Sequence, residues 1–418
     1  MMKRRTFTRG MLGGAAAAAL ARPAVTRAAT STISILTWNL IDAAEVVHGW
    51  IAAFKAANPG AEVEWLDKKG PDIPPFYQTQ LAAGTPPDII DIQGGLWVEY
   101  AAEGALADLT PDLTKEPDVK ARFNQDYLAN WVYQDRNYML PFYISKTLLF
   151  YNKKRFSEVG LTEPAATFDG LMEQAKKLGG GQNSGFLTLN FDWLYWPLFK
   201  VNGIDLLTPD LKHTAFATDA TIALTERLAA ATKDGAIDPI SWTGRWVEPL
   251  GAFASGRISM LNAHSPAYYF IKGQAPWVNP ETLGAGWFPG YWSVPNSHGL
   301  GISKGSKNPE LAWKFASFVT SNAQARKLAR DRRVLTGNTA VDDALVASLG
   351  KEDPLGAAIL RTQVEHTDRM TGNWPLAHYS RIVDAFWPGM QGALLGRRKA
   401  RPVIEAANRA VTRIMKEG

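Results

Sequence analysis

Short β-rich runs and helical runs alternate from residue 33 onward, and this alternation constrains the fold more than any other feature. Ile33 to Trp38 (ISILTW) reads as an opening strand. Asp42 to Asn58 carries Val46, Val47, Trp50, Ile51 and Phe54 at helical spacing, and Asn58-Pro59-Gly60 stops it. Ala61 to Leu66 alternates as a second strand, Phe76 to Ala83 is helical, Asp88 to Ile92 is a short buried strand and Leu96 to Gly104 returns to helix. Strand, helix, strand in this order builds a largely parallel sheet, because each crossover must return over a sheet face.

The same reading continues along the chain. Tyr138 to Phe142 and Lys146 to Tyr151 predict two strands, as do Ile258 to Asn262 and Gly299 to Ser303. Pro164 to Leu178, Thr218 to Lys233, Pro309 to Ser321 and Pro402 to Lys416 predict helices. At roughly 100–200 residues per domain, 418 residues suffice for two or three domains. No Pro/Ser-rich linker separates them, which implies that the chain crosses between domains several times.

Apolar residues at 46% and charged residues at 20% describe a globular chain and exclude a mostly disordered one. No run of 18 or more apolar residues is present, so a polytopic membrane protein is excluded as well. The formal charge of +5 misleads: six of the 45 basic residues (Lys3, Arg4, Arg5, Arg9, Arg22, Arg27) precede Thr30 and no acid does, leaving 39 against 40 acidic residues, net −1. Nucleic-acid binding loses its electrostatic argument. The absence of cysteine removes disulfides, thiolate metal sites, a Cys nucleophile and a lipidated cysteine.

Residues 1–29 read as an export signal. A basic start with adjacent arginines (Lys3-Arg4-Arg5-Thr6-Phe7) precedes an Ala-rich stretch from Met11 to Ala21, and Thr26-Arg27-Ala28 offers small residues at a cleavage site. The pattern resembles a twin-arginine signal. A soluble periplasmic protein is the expectation.

The 15 tryptophans are the strongest functional signal. Trp38 ends a strand; Trp193 and Trp196 lie in Asn190-Phe191-Asp192-Trp193-Leu194-Tyr195-Trp196-Pro197; Trp292 follows Pro289-Gly290-Tyr291; Trp374 sits between Asn373 and Pro375. An aromatic plane covers the C–H face of a pyranose, while amides, acids and hydroxyls satisfy its rim. Aromatic walls with a few polar groups are the usual form of a small-ligand pocket. For any single Trp the core is the commoner place; of this set, at least two are expected to line a ligand.

Five stretches in order resemble the family 1 extracellular solute-binding proteins of ABC importers, the maltose-binding-protein-like group. They are Pro86-Pro87-Asp88-Ile89-Ile90 with Val98 to Leu109; Leu140-Pro141-Phe142 leading to Leu148-Leu149-Phe150-Tyr151-Asn152-Lys153; Phe253-Ala254-Ser255-Gly256-Arg257-Ile258; Gly301-Ile302-Ser303-Lys304-Gly305 to Phe315; and Ala393-Leu394-Leu395-Gly396. The resemblance implies an α/β, two-lobed periplasmic-binding-protein fold of type II, each lobe a mostly parallel sheet flanked by helices. It implies lobes of 30–142 plus 275–322 and of 143–274 plus 323–418, crossing at Phe142 to Lys146, Pro266 to Trp277 and Thr320 to Lys327.

Carried over position by position, the resemblance implies ligand contacts at Trp38, Asn39, Gln93, Tyr143, Ser145, Asp192, Trp193, Asn262, His264 and Trp292. Arg332, beside Arg333, joins them as a contact for an anionic solute. The chain departs from the family at Ala263-His264-Ser265-Pro266, where Gly-Pro-Trp is expected, and at Tyr143 and Ser145, where maltose-binding protein has a small residue and an acid. Both departures bear on which sugar is held.

Other sites carry less. Gly301 to Gly305 matches G-x-S-x-G but lacks a nameable Asp/His pair, and the six histidines lack metal-site spacing. Asp88 and Asp91, a conceivable glycosidase pair, read as strand residues. The expectation is a non-enzymatic, monomeric binding protein with no cofactor and no metal. It takes a mono- or oligosaccharide and delivers it to an ABC permease. The alternatives are a binder of an anionic solute, such as glycerol 3-phosphate or a uronate, and a secreted carbohydrate-active enzyme.

Overall fold

The computed structural model describes residues 30–417 apart from 189–194, 246 and 372–373. The export segment and the site candidates Asp192 and Trp193 lie outside the described residues.

The alternating first third folds as its periodicity requires. Strands β1 (Ser31–Trp38), β2 (Ala61–Lys68) and β3 (Ile89–Gln93) are joined by helices Ala44–Ala57 and Ile73–Ala82. A small hairpin, β4 (Val132–Tyr133) with β5 (Arg136–Asn137), precedes the long strand β6 (Met139–Asn152). β7 (Ser184–Thr188), β8 (Ile258–His264), β9 (Leu283–Gly286) and β10 (Pro295–Ile302) follow. The main sheet runs β2-β1-β3-β10-β6-β8-β7, with β9 also on β6. β1 is parallel to β2 and β3, and β7 to β8; the antiparallel pairings of this sheet all involve β6 or β10.

β6 corrects the sequence reading, which broke this stretch into two strands. The first part of β6 pairs with β10, from Met139↔Gly301 to Lys146↔Pro295; the second part pairs with β8 from Thr147↔His264 onward and with β9. Apart from a bulge at Phe142, which has no register partner on β10, pairing continues along the strand, so nothing forces a break. One strand thus belongs to both halves of the sheet and changes partner at Lys146/Thr147. β9, within the 275–322 stretch, pairs with Leu149–Asn152 and so hydrogen-bonds with the second half.

β3, β6, β7 and β8 are buried on both faces, which is why they read as near-continuous apolar runs, whereas the edge strand β2 alternates and is partly exposed. On one face of the first half Ile33, Ile35 and Leu300 pack against Val47, Trp50 and Phe54 of helix Ala44–Ala57 and Phe315 of helix Pro309–Val319. On the other, Leu36, Ile90 and Ile92 meet Tyr77, Tyr100 and Trp131. In the second half Leu149, Phe186 and Met260 pack against helices Phe168–Leu178, Tyr379–Leu394 and Ala400–Glu417. Helix starts follow their caps: Thr167 accepts from the Gly170 N–H and Thr218 from the Thr221 N–H, both at 3.2 Å. Gly185 lets helix Phe168–Leu178 lie on β7, since a Cβ there would sit 2.0 Å from the Ala175 carbonyl oxygen.

Candidate functional site

Two cavities flank β6 where β10 runs beside it. The register sets His298 opposite Tyr143 and Ser297 opposite Ile144. Successive strand residues point to opposite faces; accordingly Ser297 lines one cavity and Tyr143 the other.

The first cavity holds about 390 Å³. One wall is Gly94, Gly95 and Trp97, just beyond β3, together with Trp131; the facing wall is Trp196 and Lys200 of helix Trp196–Val201 with Trp374. Trp97 meets Trp131 edge to face at 5.7 Å, and Trp196 meets Trp374 the same way at 5.6 Å. Among the described residues, five buried polar atoms of these walls have no hydrogen-bond partner: the indole Nε1 of Trp131, Trp196 and Trp374, Asn130 Nδ2 and Ser297 Oγ. Each such group costs about 1–3 kcal/mol while unpaired, and all five are sealed from the cavity space in this arrangement.

The second cavity, about 500 Å³, is lined by Leu40, Tyr143, Pro266, Tyr269 and the arginines 332 and 333. Behind it lies a tight group. Asp91, fully buried on β3, accepts from His298 Nδ1 at 2.9 Å and from the Trp38 N–H at 3.2 Å. The His298 ring stacks on Tyr143 at 3.9 Å and 18°, and meets Trp38 edge-on at 5.6 Å. Burial, then the Asp91 charge, raises the Tyr143 hydroxyl well above its ordinary pKa.

The structure sorts the residues expected from sequence. None of those described lines the first cavity; Tyr143 and Arg332 line the second. Trp38 is half-buried against His298, and Asn39 is exposed with φ 53°. Gln93 Nε2 donates to Asn296 Oδ1 at the end of β3. Ser145 Oγ lies 3.5 Å from His264 Nδ1, both buried, and burial pushes His264 down to about 3, so it is neutral near pH 7. Asn262 is fully buried beside Thr188, and neither its amide nor the Thr188 hydroxyl has a hydrogen-bond partner among the described residues.

Trp292 departs from a free stacking platform, because Lys200 and Arg369 both lie over its ring, at 5.6 and 5.5 Å. Trp196 and Trp374, from the aromatic set, do wall the first cavity. Trp97, Trp131, Asn130 and Ser297 were missed, although Gly94-Gly95 at a strand's carboxyl end is the place where α/β sheets offer ligand crevices.

The competing chemistries are occupied elsewhere. Ser303 of the G-x-S-x-G stretch is buried, bonding Tyr77 Oη at 2.8 Å and the Pro87 carbonyl at 2.5 Å. Asp88 accepts from the Ser34 N–H at 2.8 Å and from the hydroxyls of Ser34 and Ser306. Among the described residues no group of three His, Asp or Glu is placed to hold a metal, and no helix is long and apolar enough to cross a membrane.

Comparison with known proteins gives a consistent outcome. The sequence profile of the bacterial extracellular solute-binding proteins matches residues 38–326. The diacetylchitobiose-binding protein of Streptomyces coelicolor is 24% identical over 326 residues, 72% of each chain. The galactooligosaccharide-binding protein of Bacillus subtilis is 30% identical over 262 residues, 58% of each. An ABC-transporter solute-binding protein of Thermotoga lettingae, solved with α-D-tagatose, superposes with a TM-score of 0.77 at 22% identity, covering 92% of this chain and all of that one.

Proposed function

The chain belongs to the bacterial extracellular solute-binding protein family, and we propose that it captures a carbohydrate between two lobes and hands it unchanged to an ABC permease. The first cavity carries this reading: four tryptophans and the polar Asn130, Lys200 and Ser297 in its walls. Indole faces suit the C–H face of a sugar ring, and amide, ammonium and hydroxyl groups suit its oxygens. The sugars named for the Streptomyces and Bacillus relatives support the same class.

In this reading the lobes are 30–142 plus 275–322 and 143–274 plus 323–418, with β9 joining the second. The walls of the cavity then come from different lobes, and a sugar favours closure by its differential affinity for the closed form. Gln93, Ser145, Asn262 and His264, which do not line the cavity in this structure, are proposed as polar contacts reached on closure, and Asp192 and Trp193 as a further contact and a stacking ring. The protein does no chemistry on its solute, works as a monomer in the periplasm, and reaches it through a twin-arginine signal in residues 1–29.

The test is a thermal shift against neutral mono- and oligosaccharides, polyols and acidic sugars. A solute at about 100 times its Kd adds roughly 2.7 kcal/mol. A shift with one group of neutral sugars, weakened at least about tenfold in Trp196→Phe, supports the reading. No shift with any sugar refutes it. Turnover of the bound sugar on incubation refutes the non-enzymatic part alone, and export that survives replacement of Arg4 and Arg5 by Lys refutes the twin-arginine route.

A further inference from the structure

The second cavity has a different chemistry from the tryptophan-lined one. It lies on the opposite face of β6, and its walls come from three places: Leu40 after β1, Pro266 and Tyr269 after β8, and the last turn of helix Asn322–Arg332. Arg332 is half-buried there. Among the described residues its one carboxylate partner is Asp42, 4.0 Å away and highly exposed, and an exposed pair at that distance is worth little. Arg333, in the left-handed region at φ 51°, carries its guanidinium over the Tyr269 ring at 4.8 Å. It has no carboxylate within ion-pair distance among the described residues. The Arg332 charge reaches the Tyr143 hydroxyl and partly offsets the rise that burial causes there.

The arrangement has a simpler use to be weighed. Cations at a helix C-terminus complement its dipole, and Arg330 sits in the same last turn. That accounts for basic residues at this helix end. It does not account for Arg332, half-buried, and Arg333, exposed with its guanidinium on the Tyr269 ring, both lining a 500 Å³ cavity that also has Tyr143 in its wall. Asp331 lines the cavity too, leaving one net positive charge from its ionic side chains.

We propose that this cavity is a second binding compartment, which takes an anionic group, a carboxylate or a phosphate, between the guanidiniums of Arg332 and Arg333. The planar forks bind such oxygens in pairs, and Tyr143 offers a hydroxyl donor beside them. Two sources fit the chemistry: the acid group of a uronate sugar and a phosphate monoester. The compartment stands on the far side of β6 from the tryptophans, so it does not depend on the carbohydrate reading of the first cavity.

The test is calorimetric titration of the protein with inorganic phosphate, D-galacturonate and D-galactose. The variants are Arg332→Gln/Arg333→Gln and, as a control on the same helix, Arg326→Gln/Arg330→Gln. Phosphate, galacturonate or both bind the wild type. Affinity falls about tenfold or more between roughly 0.05 and 0.3 M salt, as screening demands. Binding is lost in the 332/333 variant and kept in the 326/330 variant. Phosphate alone identifies the phosphate monoester as the source, and galacturonate alone the uronate. Binding of neither anion, or equal binding in both variants, overturns the proposal. Neutral-sugar binding lost in Trp196→Phe but intact in the 332/333 variant separates the fate of the two cavities, and an unchanged melting temperature shows that each variant is folded.

Discussion

Lys146 sits where β6 changes partner, fully buried, and replacing it with methionine gives a sharp test of the physics at this crossing. Its Nζ donates to the Glu365 carbonyl and lies 4.8 Å from the Trp287 ring centre. Among the described residues no carboxylate is within ion-pair distance. Burial lowers the ammonium from its ordinary value of 10.5 to about 8, against the smaller opposing pull of Glu365, Asp368 and Asp126. At about 1.4 kcal/mol per pH unit this corresponds to roughly 3 kcal/mol.

The sign follows from proton counting. Below pH 8 folded and unfolded chains both hold the proton, and the cost of the buried charge is fully present. Between about 8 and 10.5 the unfolded chain keeps a proton that the folded one has released, so stability rises with pH. The methionine variant has nothing to titrate at this position, and all other groups are shared. Urea unfolding of wild type and Lys146→Met, followed by tryptophan fluorescence from about pH 7 to about pH 10.5, should show the wild type gaining about 3 kcal/mol on the variant. A difference constant to within about 0.5 kcal/mol over that range refutes the claim that burial depresses this lysine.

Other outcomes are expected from the same structure. Gly70→Ala places a Cβ 2.3 Å from Trp38 Cζ2; it should cost about 1–3 kcal/mol and alter Trp fluorescence. Gly49→Ala, mid-helix with nothing within 4 Å of the new Cβ, should instead stabilise by about 0.5–1 kcal/mol in thermal melts. His264, held down to about 3 by burial, binds fewer protons folded than unfolded between that value and its ordinary one near 6.5. Stability should therefore fall as pH drops through that window, and His264→Asn should show a shallower acid limb in denaturation midpoints.

Much of the fold was legible in local sequence. Periodicity placed the helix carrying Trp50 and Phe54, the strands at Ile33 and Ile89, and the helices expected over Pro164 to Leu178 and Thr218 to Lys233. Those features depend on neighbours in the chain. The union of Met139–Asn152 into one strand depends on β10, β8 and β9, which lie more than a hundred residues away, so no local pattern announces it. The short β9, Leu283–Gly286, was overlooked for the same reason: two glycines in four residues make a poor strand until β6 is beside it.

The site divides along the same line. Sequence alone determined that this chain carries many tryptophans near amides and glycines, and that its net positive charge is confined to the first 29 residues. Which tryptophan is core and which is wall was decided only by tertiary structure. Trp50 and Trp196 are equally buried and equally apolar. Trp50 packs into a core behind β1 only, whereas Trp196 belongs to the core of the second half and also borders the cavity across from Trp97 and Trp131. Arg332 and Trp292 make the same point. The partners of a side chain come from segments that folding brings together, and a side chain's own identity does not encode them.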